Sequence, residues 1–177
     1  MIGKREFLRL FGGGSVAALA GAAAAGTAAV SDGGGQTQLI WGHGLMLSSA
    51  DPSRLQLAAT ADFTHRVTGA SFSSNRLLIP FPLPPAADGR PPRIAAIRLR
   101  FRAREGARLE DVALHDGETC VAQRADLAGM KSDWDESRVD FAGLPEIRSA
   151  FGLSLGVAFA ATDREFELGA IGVELVV

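Results

Sequence analysis

The 177-residue chain is poor in the residues that most often identify a function. Its single cysteine, Cys120, allows no intramolecular disulfide, and its apolar neighbours lead us to expect a buried thiol. Tyrosine is absent, and tryptophan occurs only as Trp41 and Trp134. Because sugar rings commonly stack on large aromatic faces, this scarcity argues against a carbohydrate-binding function.

Charge and catalytic motifs are sparse as well. The net charge of −2 does not fit a nucleic-acid-binding domain, since such domains are normally basic. No G-x-S-x-G nucleophile motif is present, and the glycine runs at 12–14 and 33–35 lie outside the expected domain, so no phosphate-binding loop is predicted. His43, His65 and His115 share no metal-ligand spacing. We therefore predict a protein without metal or cofactor that is not an enzyme.

The N-terminal segment has the pattern of an export signal. Residues 3–9 resemble the twin-arginine motif, with Arg5, Phe7 and Leu8 matching and Lys4 replacing the first arginine. A weakly apolar Gly/Ala-rich run and small residues follow, as in a cleaved secretory signal. We predict a signal peptide over 1–30, a Gly-rich linker over 31–37 and one periplasmic or extracellular domain over 38–177. An uncleaved membrane anchor or a disordered tail are the alternatives for 1–30.

Alternation of apolar and polar residues dominates the rest of the chain. It predicts half-buried strands around 98–104, 153–159 and 171–177, with shorter ones at 39–41, 55–57 and 139–141. Asp116-Gly117 between two such runs predicts a β-hairpin with a type I′ turn. Six prolines between 76 and 93 indicate an edge strand or extended loop, and residues 144–149 suggest a single helical turn. Short strands separated by turn residues predict an all-β, antiparallel Greek-key or jelly-roll-like sandwich.

Several motifs in order resemble a family of small uncharacterised bacterial exported β-sandwich proteins. They are Trp41-Gly42-His43-Gly44, the run 78–84, the Gly-Arg-Pro turn at 89–91, the Asp-Gly turn and the late strand 152–157. The resemblance covers most of the domain and implies a sandwich fold. It implies no activity, because none is assigned to that family, and so no functional residue is transferred.

Two features are candidate ligand sites. Arg98, Arg100, Arg102 and Arg104 share one face of a strand and could bind an anion, although Asp163, Glu165 and Glu167 alternate in a later strand and predict cross-strand pairing instead. The acidic loop 133–136 around Trp134 could bind calcium, with Asp126 or Asp140 assisting, but matches no complete calcium-loop pattern. The site residues we single out are therefore Arg100, Arg102 and Trp134.

The sequence leaves three functional hypotheses. The first is a non-enzymatic exported domain that binds an unidentified protein or glycan partner, or has a structural role in the cell envelope. The second is a module for an anionic glycan or a metal ion, and the third is a small hydrolase. A nucleic-acid partner is not predicted, and membrane contact is expected only through an uncleaved signal segment.

Overall fold

A computed structural model of the chain describes residues 27–30, 37–84, 89–104, 106–127, 133–161 and 164–176. The predicted export signal and Gly-rich linker lie outside these ranges, except for 27–30 and the boundary residue 37. No helix in the described ranges is long and apolar enough to cross a membrane.

The described residues form twelve β-strands and one short 3-10 turn, Gly44–Met46. The strands are β1 (Thr27–Val30), β2 (Thr37–His43), β3 (Ser48–Ser49), β4 (Leu55–Ala59), β5 (His65–Gly69), β6 (Ser73–Pro80), β7 (Arg93–Ala103), β8 (Ala107–Asp116), β9 (Thr119–Arg124), β10 (Asp133–Asp140), β11 (Phe151–Phe159) and β12 (Glu165–Val176).

Two antiparallel sheets face each other, which confirms the predicted β-sandwich. Sheet A runs β10–β7–β12, and the far edge of β12 pairs with β5 along its first half and with β2 along its second. Strand β4 then extends the sheet beyond β5, and β1 extends it beyond β2. Sheet B has the order β3–β6–β11–β8–β9. Successive strands such as β6, β7 and β8 alternate between the sheets, as Greek-key connections do.

Apolar side chains from the inner faces of both sheets fill the space between them. Alternation predicted this correctly: Leu99 and Phe101 of β7 and Leu155 of β11 are fully or almost fully buried. Phe101 stacks on Phe166 of β12 with ring centroids 5.4 Å apart. The outer faces of the sheets are therefore left to polar residues.

Two local predictions are wrong in detail. The hairpin β8–β9 exists, but its loop residues are Gly117 and Glu118, and only Gly117 has a positive φ (+60°), as in a type II′ turn. Asp116 instead ends β8, where its carboxylate accepts hydrogen bonds from the loop around Ser149. Cys120 is exposed, because β9 is the edge strand of sheet B and packs little of its length against other elements.

The loop 144–149 is also not helical. Glu146 forms an isolated antiparallel bridge with Arg93, and the flanking backbone bonds Ile94 N to Pro145 O (3.0 Å) and Ile147 N to Pro92 O (3.0 Å) hold the segment extended. The burial of Ile147 explains why the segment is extended and not helical, since an extended backbone lets this side chain reach the core. The proline-rich segment follows the prediction only in part. Residues 81–84 are irregular, but the first residues of the segment end β6, which pairs with β11 on one side and with the two-residue edge strand β3 on the other.

Candidate functional site

The outer face of sheet A carries a layer of paired charges. Glu167 of β12 is only 2% exposed and accepts hydrogen bonds from Arg102 Nη2 (2.9 Å) and Arg66 Nε (3.2 Å). Arg104 pairs with Glu165 at 3.1 Å. The predicted cross-strand pairing of basic and acidic residues is thus confirmed for Arg102 and Arg104, while Asp163 lies outside the described residues.

A second charge cluster lies at the other end of β12. Glu174 accepts hydrogen bonds from Arg138, with Nη2 to Oε2 at 2.8 Å, and from Arg98, which also pairs with Glu136. The bonds from Arg138, followed by those from Arg98, lower the pKa of Glu174 although its burial opposes this. The same bonds raise the pKa of both arginines. These charges are structural, since each is satisfied by its neighbours.

Arg100 differs from Arg98, Arg102 and Arg104. It is exposed and forms no ion pair with any side chain that the structure describes. Two register irregularities flank it. On β12 one extra residue, Gly169, lies between the pairs Leu168–Phe101 and Ala170–Arg100, and β10 has a similar irregularity between Asp133 and Glu136. As a result, the β12 residue opposite Arg100 is Ala170, where an unshifted register would place Gly169.

Arg100 lines a cavity of about 360 Å³ on this outer face. The other lining residues come from the end of β2, the β4–β5 loop, β10 and the β12 bulge: His43, Asp62, Phe63, Thr64, Trp134, Gly169 and Ala170. The cavity therefore combines two large aromatic rings with one cation and one exposed carboxylate, and its volume lies within the range typical of small-ligand sites.

Trp134 is held in the cavity wall by its surroundings. It occupies the β10 irregularity with a φ of +56°, and bulges of this kind re-aim side chains beside functional sites. The guanidinium of Arg102 lies 4.9 Å from the indole centroid, within cation–π range. Gly169 provides the space, because a Cβ there would lie 3.1 Å from Trp134 Cζ3. Arg102 therefore supports Trp134 and is absent from the cavity lining.

Phe63 lies on the opposite, loop side of the cavity. The β4–β5 loop is closed by hydrogen bonds from Thr60 N to Thr64 O (2.9 Å) and between the two threonine hydroxyls (2.8 Å). At its tip Phe63 has a φ of +57° and is 70% exposed. Its ring meets the edge of His43 in a T-shaped contact with centroids 6.5 Å apart. A tightly closed loop thus presents an aromatic ring to solvent instead of burying it.

The family of the chain is shown by its sequence. A family model matches residues 36–177, which is most of the chain. The chain belongs to DUF6623, a family of unknown function. This finding confirms the resemblance to an uncharacterised family, and no curated protein matches the chain.

The solved structures similar to this DUF6623 domain include a xylan-binding module and a CBM6 domain. The low-affinity xylan-binding module CBM86 from the gut symbiont Roseburia intestinalis has a TM-score of 0.52 and 10% identity, covering 77% of this chain and 95% of that one. The C-terminal CBM6 of a marine laminarinase from Zobellia galactanivorans has a TM-score of 0.46 and 11% identity, covering 76% and 98%. The first likeness supports the β-sandwich fold.

Two of the three residues singled out from sequence line the DUF6623 cavity. Arg100 and Trp134 line it together, whereas Arg102 supports Trp134 from a position bonded to Glu167. Sequence reasoning missed Phe63 and Asp62, because the turn that presents them carries no glycine or proline signal.

The calcium interpretation of the Trp134 loop gains no geometric support. Asp140 pairs with Arg138, and no group of three or more His, Cys, Asp or Glu residues able to hold a metal ion is found among the described residues.

Proposed function

We propose that this DUF6623 domain is a non-catalytic glycan-binding module and that the cavity between Phe63 and Trp134 is its binding site. The observation that carries the proposal is the exposed Phe63 ring, on a loop closed by hydrogen bonds, in the lining of a cavity whose other wall is Trp134. Single exposed apolar side chains are common, but apolar surfaces that line a concave site together with a few polar groups are typical of ligand binding.

The chemistry of the cavity matches that of a sugar. A pyranose ring presents apolar C–H groups on its faces and hydroxyl groups around its edge. Phe63 and Trp134 offer apolar surfaces for the faces, while the Arg100 guanidinium donates and the Asp62 carboxylate accepts hydrogen bonds at the edge. A few polar groups among aromatic rings fix orientation without requiring a deep pocket.

The fold likeness does not decide the ligand. The module from Roseburia intestinalis with the TM-score of 0.52 is described as xylan-binding. At 10% identity this likeness extends to the fold alone, so the ligand class rests on the cavity and not on the relative.

The test is binding of the purified protein to a panel of plant, bacterial and algal oligosaccharides, followed by calorimetric titration of each binder. Phe63→Ala and Trp134→Ala should each weaken binding at least about tenfold, or about 1.4 kcal/mol. Phe72→Ala is the matched control, because Phe72 is another exposed loop phenylalanine (88% exposed, φ +53°) that does not line the cavity. Absence of binding across the panel, or equal losses in all three variants, would overturn the proposal.

We also propose that the domain works outside the cytoplasm, following the export signal predicted at 1–30. Intact-mass measurement of the protein from the extracytoplasmic fraction of its host should give a chain that starts between residues 25 and 32. A full-length chain recovered with membranes would instead identify an anchor, and one confined to the cytoplasm would rule out export.

A further inference from the structure

One of the four alternating arginines at 98–104 forms no ion pair with any side chain that the structure describes. Arg98, Arg102 and Arg104 each pair with a glutamate on the same face. Arg100, between them, pairs with no described side chain and lines the cavity. On a face where its neighbours are neutralised, this guanidinium is available to a ligand.

Sequence and register together account for the difference. The acidic alternation of β12 ends at Glu167, and the bulge at Gly169 places Ala170 opposite Arg100. On the other side of β7 the partner of Arg100 is Glu136, whose carboxylate pairs with Arg98. Among the side chains that the structure describes on β10 and β12, none therefore forms an ion pair with Arg100.

We infer that the ligand of the proposed site is an acidic glycan, and that Arg100 binds the carboxylate of a uronic acid residue. The inference rests on the proposed glycan-binding function and adds its substrate class. A guanidinium donates two parallel hydrogen bonds to a carboxylate, which gives both charge and directional selectivity. The sugar that carries this carboxylate would contact the aromatic rings that line the same cavity.

Asp62 supplies a second, opposite test of the same idea. Its exposed carboxylate lines the same cavity and repels an anionic ligand, whereas it is neutral or favourable toward a neutral sugar. Asp62→Asn should therefore strengthen binding of an acidic glycan and leave or weaken binding of a neutral one. Arg100→Gln should have the reverse effect on acidic ligands.

The experiment compares uronic-acid oligosaccharides from the panel with the same molecules after reduction of each carboxyl to a primary alcohol. The two members differ only at that group, which is an anionic two-oxygen acceptor in one and a neutral hydroxymethyl group in the other. We expect the acidic member to bind at least about tenfold more tightly at low salt. This gap in affinity between the two members should narrow as salt screens the contact. Arg100→Gln should abolish the gap and Arg100→Lys should reduce it. Arg104→Gln, which removes an exposed cation from the same strand face outside the cavity, should preserve it.

The possible outcomes distinguish a failure of this inference from a failure of the proposed glycan-binding function. Equal binding of the acidic and reduced forms, sensitive to Phe63→Ala, would overturn the inference and leave the glycan-binding function standing. Loss of the gap in Arg104→Gln as well would show general charge attraction and would also overturn it. Preference for a sulfate ester of the same chain over its carboxylate would refute the carboxylate assignment. No binding of any oligosaccharide would overturn both.

Discussion

Replacement of Phe63 tests whether the cavity loop stores backbone strain to expose its ring. Phe63 has a φ of +57°, in the left-handed region where the Cβ of an L-residue clashes with the neighbouring carbonyl. Strained residues of this kind persist only where their surroundings impose the conformation, here the hydrogen bonds between Thr60 and Thr64. We predict that Phe63→Gly is more stable than Phe63→Ala.

The magnitude follows from two opposing effects. Both substitutions lose the same aromatic ring and its contact with His43, so those losses cancel in the comparison. Relief of left-handed strain favours glycine by about 1–2 kcal/mol, whereas the greater freedom of glycine in the unfolded chain costs about 0.4–1 kcal/mol. The glycine variant should thus be the more stable by about 0.8 kcal/mol, within limits of about 0 and 1.6 kcal/mol, although both variants lose ligand binding equally.

Urea and thermal unfolding of the two variants measure this difference, which corresponds to about 2–4 °C in Tm for a domain of this size. The same pair at Phe72, where φ is +53°, should show the same sign and leave binding intact. If Phe63→Gly is less stable than Phe63→Ala, the loop does not impose a left-handed conformation and the argument for a preformed aromatic wall fails.

Three further outcomes follow from the packing. Gly169→Ala should weaken glycan binding while changing stability little, because its Cβ would lie 3.1 Å from the Trp134 ring; calorimetric titration alongside thermal unfolding checks both. Four hydrogen bonds to the Asp116 carboxylate, first of all from the Ser149 hydroxyl, lower its pKa to about 2. Asp116→Asn should therefore lower the free energy of unfolding by its full amount above about pH 4, the ordinary aspartate pKa. This difference from the wild type should vanish as pH falls through 2, and urea titrations at several pH values would show it. Leu155→Ala, at a fully buried position of β11, should cost about 2–5 kcal/mol in the free energy of unfolding.

The fold could be predicted from the sequence because most of the strands are regular. Along 153–159 and 171–176 every inward position is apolar, and a period of two places those side chains in the core whatever the neighbouring strands are. The pairing of Arg102 with Glu167 follows from the same alternation. What alternation cannot reveal is an inserted residue in β12 or β10, and therefore it did not show that Arg100 lies beside a cavity whereas Arg98 and Arg102 are held in ion pairs.

The aromatic wall was missed for a different reason. Tyrosine is absent and tryptophan occurs only twice, which argued against stacking on a sugar. Composition reports residue types, however, and not which aromatic side chains are exposed. Phe63 follows Asp62 in a short polar stretch without the glycine that normally signals positive φ. Its exposure depends on the threonine hydroxyls on either side, which sequence periodicity does not report.

The candidate site is assembled from departures from regular sheet geometry. The bulge at Gly169 makes room for Trp134, the irregularity in β10 turns that tryptophan toward the cavity, and the tight turn before β5 exposes Phe63. The acidic alternation of β12 ends at Glu167, so an unshifted ladder would place Gly169, not a glutamate, opposite Arg100. Among the described residues, ion pairs around Glu167 and Glu174 cover the two ends of this face, and the cavity lies between them, where the two bulges meet.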